Sequence, residues 1–163
     1  MMFQRVKAWL LDGPQQGAGP HRHEEHEIAS AALLVEAATA DGHFDDIERA
    51  TILGLLGRRF ALSEADATSL LEVAQERQAR SNEVFKFALA ARQAFDEEER
   101  VGLIEMLWTT ILSDGEVHDY EGSLMRRIAG LLHVPDKAAG EARKRAALKL
   151  AARQKRSGQG DEA

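Results

Sequence analysis

The chain contains no cysteine. Disulfides, thiolate metal sites and thiol nucleophiles are therefore excluded, and the absence fits the cytoplasm. Aromatic residues supply only 6% of the sequence. No apolar run approaches the ~20 residues that a membrane-spanning helix needs. No stretch alternates β-branched residues with polar ones, so strands are not expected. Catalytic signatures are missing too: there is no phosphate-cradling glycine loop, no Gly-x-Ser-x-Gly elbow and no His-Glu-x-x-His. His23-Glu24-Glu25-His26 has its histidines three apart, in the wrong order for that zinc motif. These absences point away from an enzyme. Proline occurs 3 times, and Pro14 and Pro20 stand with Gly13 and Gly17 in a stretch, residues 12–20, that reads as a linker.

What is present describes one water-soluble domain. A length of 163 residues with 44% hydrophobic and 29% charged content is enough for a full core. Residues 1–20 read as an N-terminal amphipathic segment and linker. Phe3, Val6, Trp9, Leu10 and Leu11 stand beside Arg5 and Lys7, a pattern able to touch a membrane surface through residues 1–11, although a helix docked on the domain is the simpler reading. Residues 21–156 form the helical domain, and 157–163 a polar, disordered tail. Three histidines, His21, His23 and His26, fall within six residues at the ragged start of the first helix of that domain. They read as a solvated polar leader rather than a metal site, because no framework of acids or cysteines fixes them.

Charge is uneven along the chain. Residues 143–163 carry seven Lys or Arg and two acids, a net of +5, and the total of −6 leaves −11 for residues 1–142. An acidic body repels phosphate, so nucleic acid is not expected as a partner; proteins are. The basic stretch reads as the solvated face and last turns of a helix. Oligomeric state is not legible.

Start and stop signals divide the body into about seven helices. Ile28, Ala31, Ala32, Leu34, Val35 and Ala38 form the first apolar stripe. Asp45 with Glu48, and Asp96 with Glu99, have capping-box spacing, and Ser63 with Asp66 opens a third helix. A break is expected at 79–82. Val134-Pro135-Asp136 separates the last two helices. The fold class expected is all-α, with two pseudo-symmetric helix–turn–helix halves.

Those halves are marked by a repeat. Asp41-Gly42-His43-Phe44-Asp45-Asp46-Ile47-Glu48 recurs as Asp114-Gly115-Glu116-Val117-His118-Asp119-Tyr120-Glu121, each copy between two apolar helical runs. The glycine permits a left-handed turn at the helix end. The apolar Phe44 or Val117 turns back into the core. The last glutamate falls in the first turn of the next helix, where it accepts from free backbone N–H groups and complements the dipole. An EF-hand is excluded. Setting Asp41-Gly42 at loop positions five and six puts Glu48 at twelve, but positions one and three then fall on Ala37 and Thr39, and in the second copy on Thr110 and Leu112.

Glu36 and Glu105 lie inside apolar runs, where carboxylates are rarely left unpaired. Two readings stand. In one, each pairs with an arginine such as Arg49, Arg58, Arg59, Arg126 or Arg127, or with a helix N-terminus. In the other, Glu36, Asp41, Glu48, Glu105, Asp114 and Glu121 line one polar cleft that holds a divalent cation, calcium or similar.

At these residues the chain resembles the TerB-like family, named for tellurite resistance. The resemblance runs from about Glu27 to Ala139. It rests on Leu34-Val35-Glu36-Ala37-Ala38 leading to Ala40-Asp41-Gly42, on Glu105-Met106-Leu107-Trp108 leading to Asp114-Gly115, on Met125-Arg126-Arg127-Ile128-Ala129-Gly130-Leu131-Leu132 and on Val134-Pro135. It implies an all-helical cytoplasmic protein of two related halves, with acidic residues proposed to bind metal. A related module begins some membrane-anchored J-domain co-chaperones, but no His-Pro-Asp motif is present here. Ser113 stands where the first copy has Ala40, and His118 where it has Asp45, so the halves are not chemically equal. The function expected is a non-enzymatic module, gated by a divalent cation, in stress response or envelope-associated complexes; the alternative is a protein-interaction scaffold without metal.

Overall fold

A helix that is apolar on every side has nowhere to go but the middle of a bundle. Residues 28–35, broken only by Ser30, are such a segment, and the computed structural model puts the helix that carries them at the centre of the fold. It describes residues 23–40, 42, 44–80, 84–113 and 119–160, leaving aside the side chains of 157–160. Among the described residues there are seven α-helices and no strand: α1 (Glu25–Ala38), α2 (Asp46–Phe60), α3 (Glu64–Arg80), α4 (Val84–Ala94), α5 (Glu97–Leu112), α6 (Asp119–Leu131) and α7 (Asp136–Gly160). The all-α expectation holds.

Helix α1 packs against each of α2 to α6. Its buried face is made of Ile28, Leu33, Leu34 and Val35 with Ala29, Ala31, Ala32, Ala37 and Ala38, and the small residues let neighbouring helices approach closely. Helix α5 is the second core element. It buries Leu103, Ile104, Met106, Leu107, Trp108 and Ile111, and it provides the bed on which α7 lies. Burying a Leu or Ile side chain fully stabilises by about 1.5–3 kcal/mol, so these two helices hold much of the fold.

Local chemistry starts and stops the helices where the sequence signals it. Asp45 Oδ1 accepts from the Glu48 backbone N–H at 2.7 Å, and Glu48 Oε1 accepts from the Asp45 N–H at 3.3 Å. Asp96 and Glu99 repeat this at 2.8 and 3.1 Å. Ser63 Oγ accepts from the Asp66 N–H at 3.1 Å. Each such cap is worth about 1 kcal/mol. Helix α2 ends on Ala61 in the left-handed region at φ 52°, with the Leu62 N–H donating to Gly57 O at 3.0 Å. Helix α6 ends similarly: His133 has φ 57°, and the Val134 N–H donates to Ala129 O at 2.9 Å before Pro135.

Two details depart from the sequence reading. Helix α1 stops at Ala38, with Thr39 at its C-cap, not at the glycine. The Thr39 hydroxyl donates to Val35 O at 2.8 Å, and Gly42, at φ 87°, donates its N–H to Thr39 O at 2.9 Å. The glycine is thus needed for its positive φ three residues beyond the C-cap, in the turn itself. Helix α7 also continues to Gly160, past Ser157, where the polar tail was expected to begin.

Candidate functional site

The repeat places two glutamates alike. Glu48 lies in the first turn of α2 and Glu121 in the first turn of α6, and they are 3% and 4% exposed. Both follow the loop that joins the first helix of a hairpin to the second. Glu48 closes the capping box with Asp45. Phe44 packs against the core ahead of it, as expected. Asp41 and Asp114, and with them Gly115 and Val117, lie outside the described residues. The carboxylates near the two helix starts, Asp45, Asp46 and Glu48 on one side and Asp119 and Glu121 on the other, sit where the helix dipole favours negative charge.

Glu36 and Glu105 have partners from other helices. Gln78 on α3 donates Nε2–H to Glu36 Oε2 at 2.8 Å. Glu105 accepts from two cations of α7, Arg145 Nε at 3.1 Å and Lys149 Nζ at 2.6 Å. Burial raises the Glu105 carboxyl pKa, but the hydrogen bonds and positive charge of Lys149 and Arg145 outweigh burial and hold it below the ordinary value. Glu36 is therefore engaged on the α3 flank of α1, and Glu105 on the α7 flank of α5. Neither partner is among the arginines weighed from the sequence; Gln78, Arg145 and Lys149 were missed. Arg59 pairs instead with Glu99 at 3.5 Å.

The basic stretch is likewise less free than its composition implies. Besides Arg145 and Lys149, Arg143 stacks its guanidinium 4.4 Å from the centre of the buried Trp108 ring.

His21 lies outside the described residues, while His23 and His26 are packed rather than solvated. His23 Nε2 is 3.2 Å from Ser69 Oγ on α3. His26 meets Phe60 and Phe95 edge-on, with ring centres 5.9 and 5.4 Å away, and its Nδ1 is 3.3 Å from Glu24 Oε2. Ligand atoms of Glu24, His26 and Glu27 lie within 4.8 Å of one another. Glu24 and Glu27 form the capping box that opens α1, which accounts for that cluster without an ion.

With these positions in view, the comparison with protein families is decisive: the model of "Tellurite resistance protein TerB" matches residues 27–144. The chain belongs to the TerB family. The match runs from the first turn of α1 into α7 and includes both Asp-Gly pairs. Among solved structures, "Protein of Unknown Function PG1108 from Porphyromonas gingivalis W83" is similar at 20% identity with a TM-score of 0.56, covering 78% of this chain and 98% of that one. At that identity the likeness speaks for the fold. No curated protein matches the chain. The TerB match indicates no enzymatic family, and no helix among the described residues is long and apolar enough to cross a membrane.

Proposed function

We propose that this TerB-family chain is a non-enzymatic, cytoplasmic binding module that takes a hard divalent cation, calcium or similar, at its paired acidic turns. Its setting would be a stress response of the tellurite type or an envelope-associated complex. The observation that carries the reading is the matched burial of Glu48 and Glu121 in corresponding helix starts. Asp41 and Asp114 precede them by the same interval in sequence. Carboxylates alone are a donor set for calcium, magnesium or manganese rather than for a soft metal. Side chains of other helices engage Glu36 and Glu105, while Glu48 holds the Asp45 backbone N–H with one carboxylate oxygen; the ligand set proposed is Asp41, Glu48, Asp114 and Glu121. The acidic body would repel tellurite itself.

Thermal unfolding with calcium, magnesium, manganese or zinc tests this. An ion that binds the folded state at a hundred times its Kd stabilises by about 2.7 kcal/mol. For a domain of this size that raises Tm by roughly 5–11 °C. The double variant Glu48→Gln, Glu121→Gln removes both charges, and glutamine at 48 keeps the capping hydrogen bond to the Asp45 N–H. The shift should vanish in that variant while its ion-free Tm stays near wild type. No shift with any of the four ions removes the cation from the proposal.

The competing reading is a protein-interaction scaffold that needs no metal. The internal partners of Glu36 and Glu105 favour it. Partner binding that persists unchanged in chelator would select it.

A further inference from the structure

A groove of about 870 Å³ runs between α2, α5 and α7. Its floor is apolar, from Leu55 of α2, Val101 and Met106 of α5, and Leu150 of α7. Arg58 and Arg59 stand on one wall, and Arg145, Lys149, Arg153 and Arg156 on the other. Only three acids line it, Glu98, Glu99 and Glu105, all from α5. Six cations against three carboxylates make an island of positive charge on a chain whose net charge is −6.

The cations fall into two sets. Arg59, Arg145 and Lys149 are satisfied by Glu99 and Glu105. Arg58, Arg153 and Arg156 form no ion pair among the described residues, and they come from both walls. Every lining residue that α7 supplies lies beyond residue 144, where the TerB match ends. The α7 wall thus lies outside the part of the chain that the TerB match spans.

We propose that this groove is a docking site for an acidic, amphipathic segment of a partner protein. Apolar residues of the segment rest on Leu55, Val101, Met106 and Leu150, and its carboxylates meet Arg58, Arg153 and Arg156. Guanidinium forks suit carboxylates bidentately. The net negative charge of the rest of the chain adds selectivity: it disfavours an acidic segment away from the groove, so attraction and repulsion together favour landing there. The same body disfavours nucleic acid, whose phosphates continue past any short groove into negative surface. The floor also offers apolar contact that a free anion does not use. The site does not depend on any cation at the acidic turns.

The test is fluorescence anisotropy with the full chain and a short labelled peptide of glutamates interspersed with leucines. Its controls are a peptide with each glutamate replaced by lysine, a single-stranded oligonucleotide, and vesicles of anionic lipid. The acidic peptide should bind, should weaken as salt rises, and should lose affinity about tenfold or more in the triple variant Arg58→Glu, Arg153→Glu, Arg156→Glu. Hydrogen exchange should slow on α2, α5 and α7 alone when the peptide binds. A triple variant with glutamine at the same positions should lose less, which separates charge from a folding defect. The proposal is overturned if the acidic peptide does not bind, if the lysine peptide binds equally, if the oligonucleotide or the vesicles bind more tightly, or if charge reversal leaves affinity unchanged.

Discussion

Replacing Glu105 by glutamine should loosen α7. The side chain of Glu105 is 16% exposed and holds Arg145 at 3.1 Å and Lys149 at 2.6 Å. Hydrogen bonds to a charged group contribute about 1.5–3 kcal/mol when well enclosed. Here the partners are 44% and 70% exposed, and exposed pairs fall to about 0.2–1 kcal/mol. A loss of about 1–2 kcal/mol is the resulting expectation, or roughly 2–8 °C in Tm for this length of chain. Thermal unfolding at low and high salt checks it, since a Debye length of about 3 Å at 1 M screens the exposed ends and should shrink the difference. The pH dependence follows from the lowered pKa of Glu105. A carboxyl whose folded pKa is depressed adds stability above its unfolded value, and that contribution disappears as pH falls through the folded value. Wild type and Glu105→Gln should differ at neutral pH and converge in acid. A double-mutant cycle with Arg145→Gln and Lys149→Gln should return coupling of the same order. Equal stability of wild type and variant at neutral pH and low salt, or a difference that grows on acidification, would refute the reasoning.

Two other substitutions probe separate parts of the fold. Leu33→Ala, at a fully buried site on α1, should cost about 2–5 kcal/mol in denaturant unfolding; a cost below about 1 kcal/mol would mean that α1 is not the packing centre. Ala61→Gly removes the strain of an alanine at φ 52° and should raise stability by up to about 1 kcal/mol, the gain being reduced by the freer unfolded chain; a clear loss of stability would show that the left-handed turn carries no strain.

What the sequence disclosed was local. Asp45 with Glu48, Ser63 with Asp66 and Asp96 with Glu99 could be read as caps because both partners lie three residues apart. The apolar stripe of α1 and the all-α class followed from periodicity. The partners of Glu36 and Glu105 could not be found that way. Gln78 is 42 residues from Glu36, and Arg145 and Lys149 are 40 and 44 residues from Glu105. No period links such positions. Helix α7 was opaque for a related reason. An Ala, Lys and Arg composition has little hydrophobic contrast, so nothing marked which stripe would rest on α5 and which cations would be drawn inward. His23 and His26 were misjudged as solvated because their aromatic and hydroxyl neighbours, Phe60, Phe95 and Ser69, also come from distant helices.

The contact between α5 and α7 has a mechanical implication. Ala138, Ala139, Ala142 and Ala146 give the first half of α7 a smooth underside, with no bulky knob before Leu150 to notch it against its neighbour. What keeps the two rods from sliding by a turn is therefore electrostatic: the pair of cations on Glu105, and Arg143 clipped over Trp108. Neutralising those pins should leave α7 helical yet free to shift lengthwise, and the spacing between spin labels on the two helices would broaden into more than one distance.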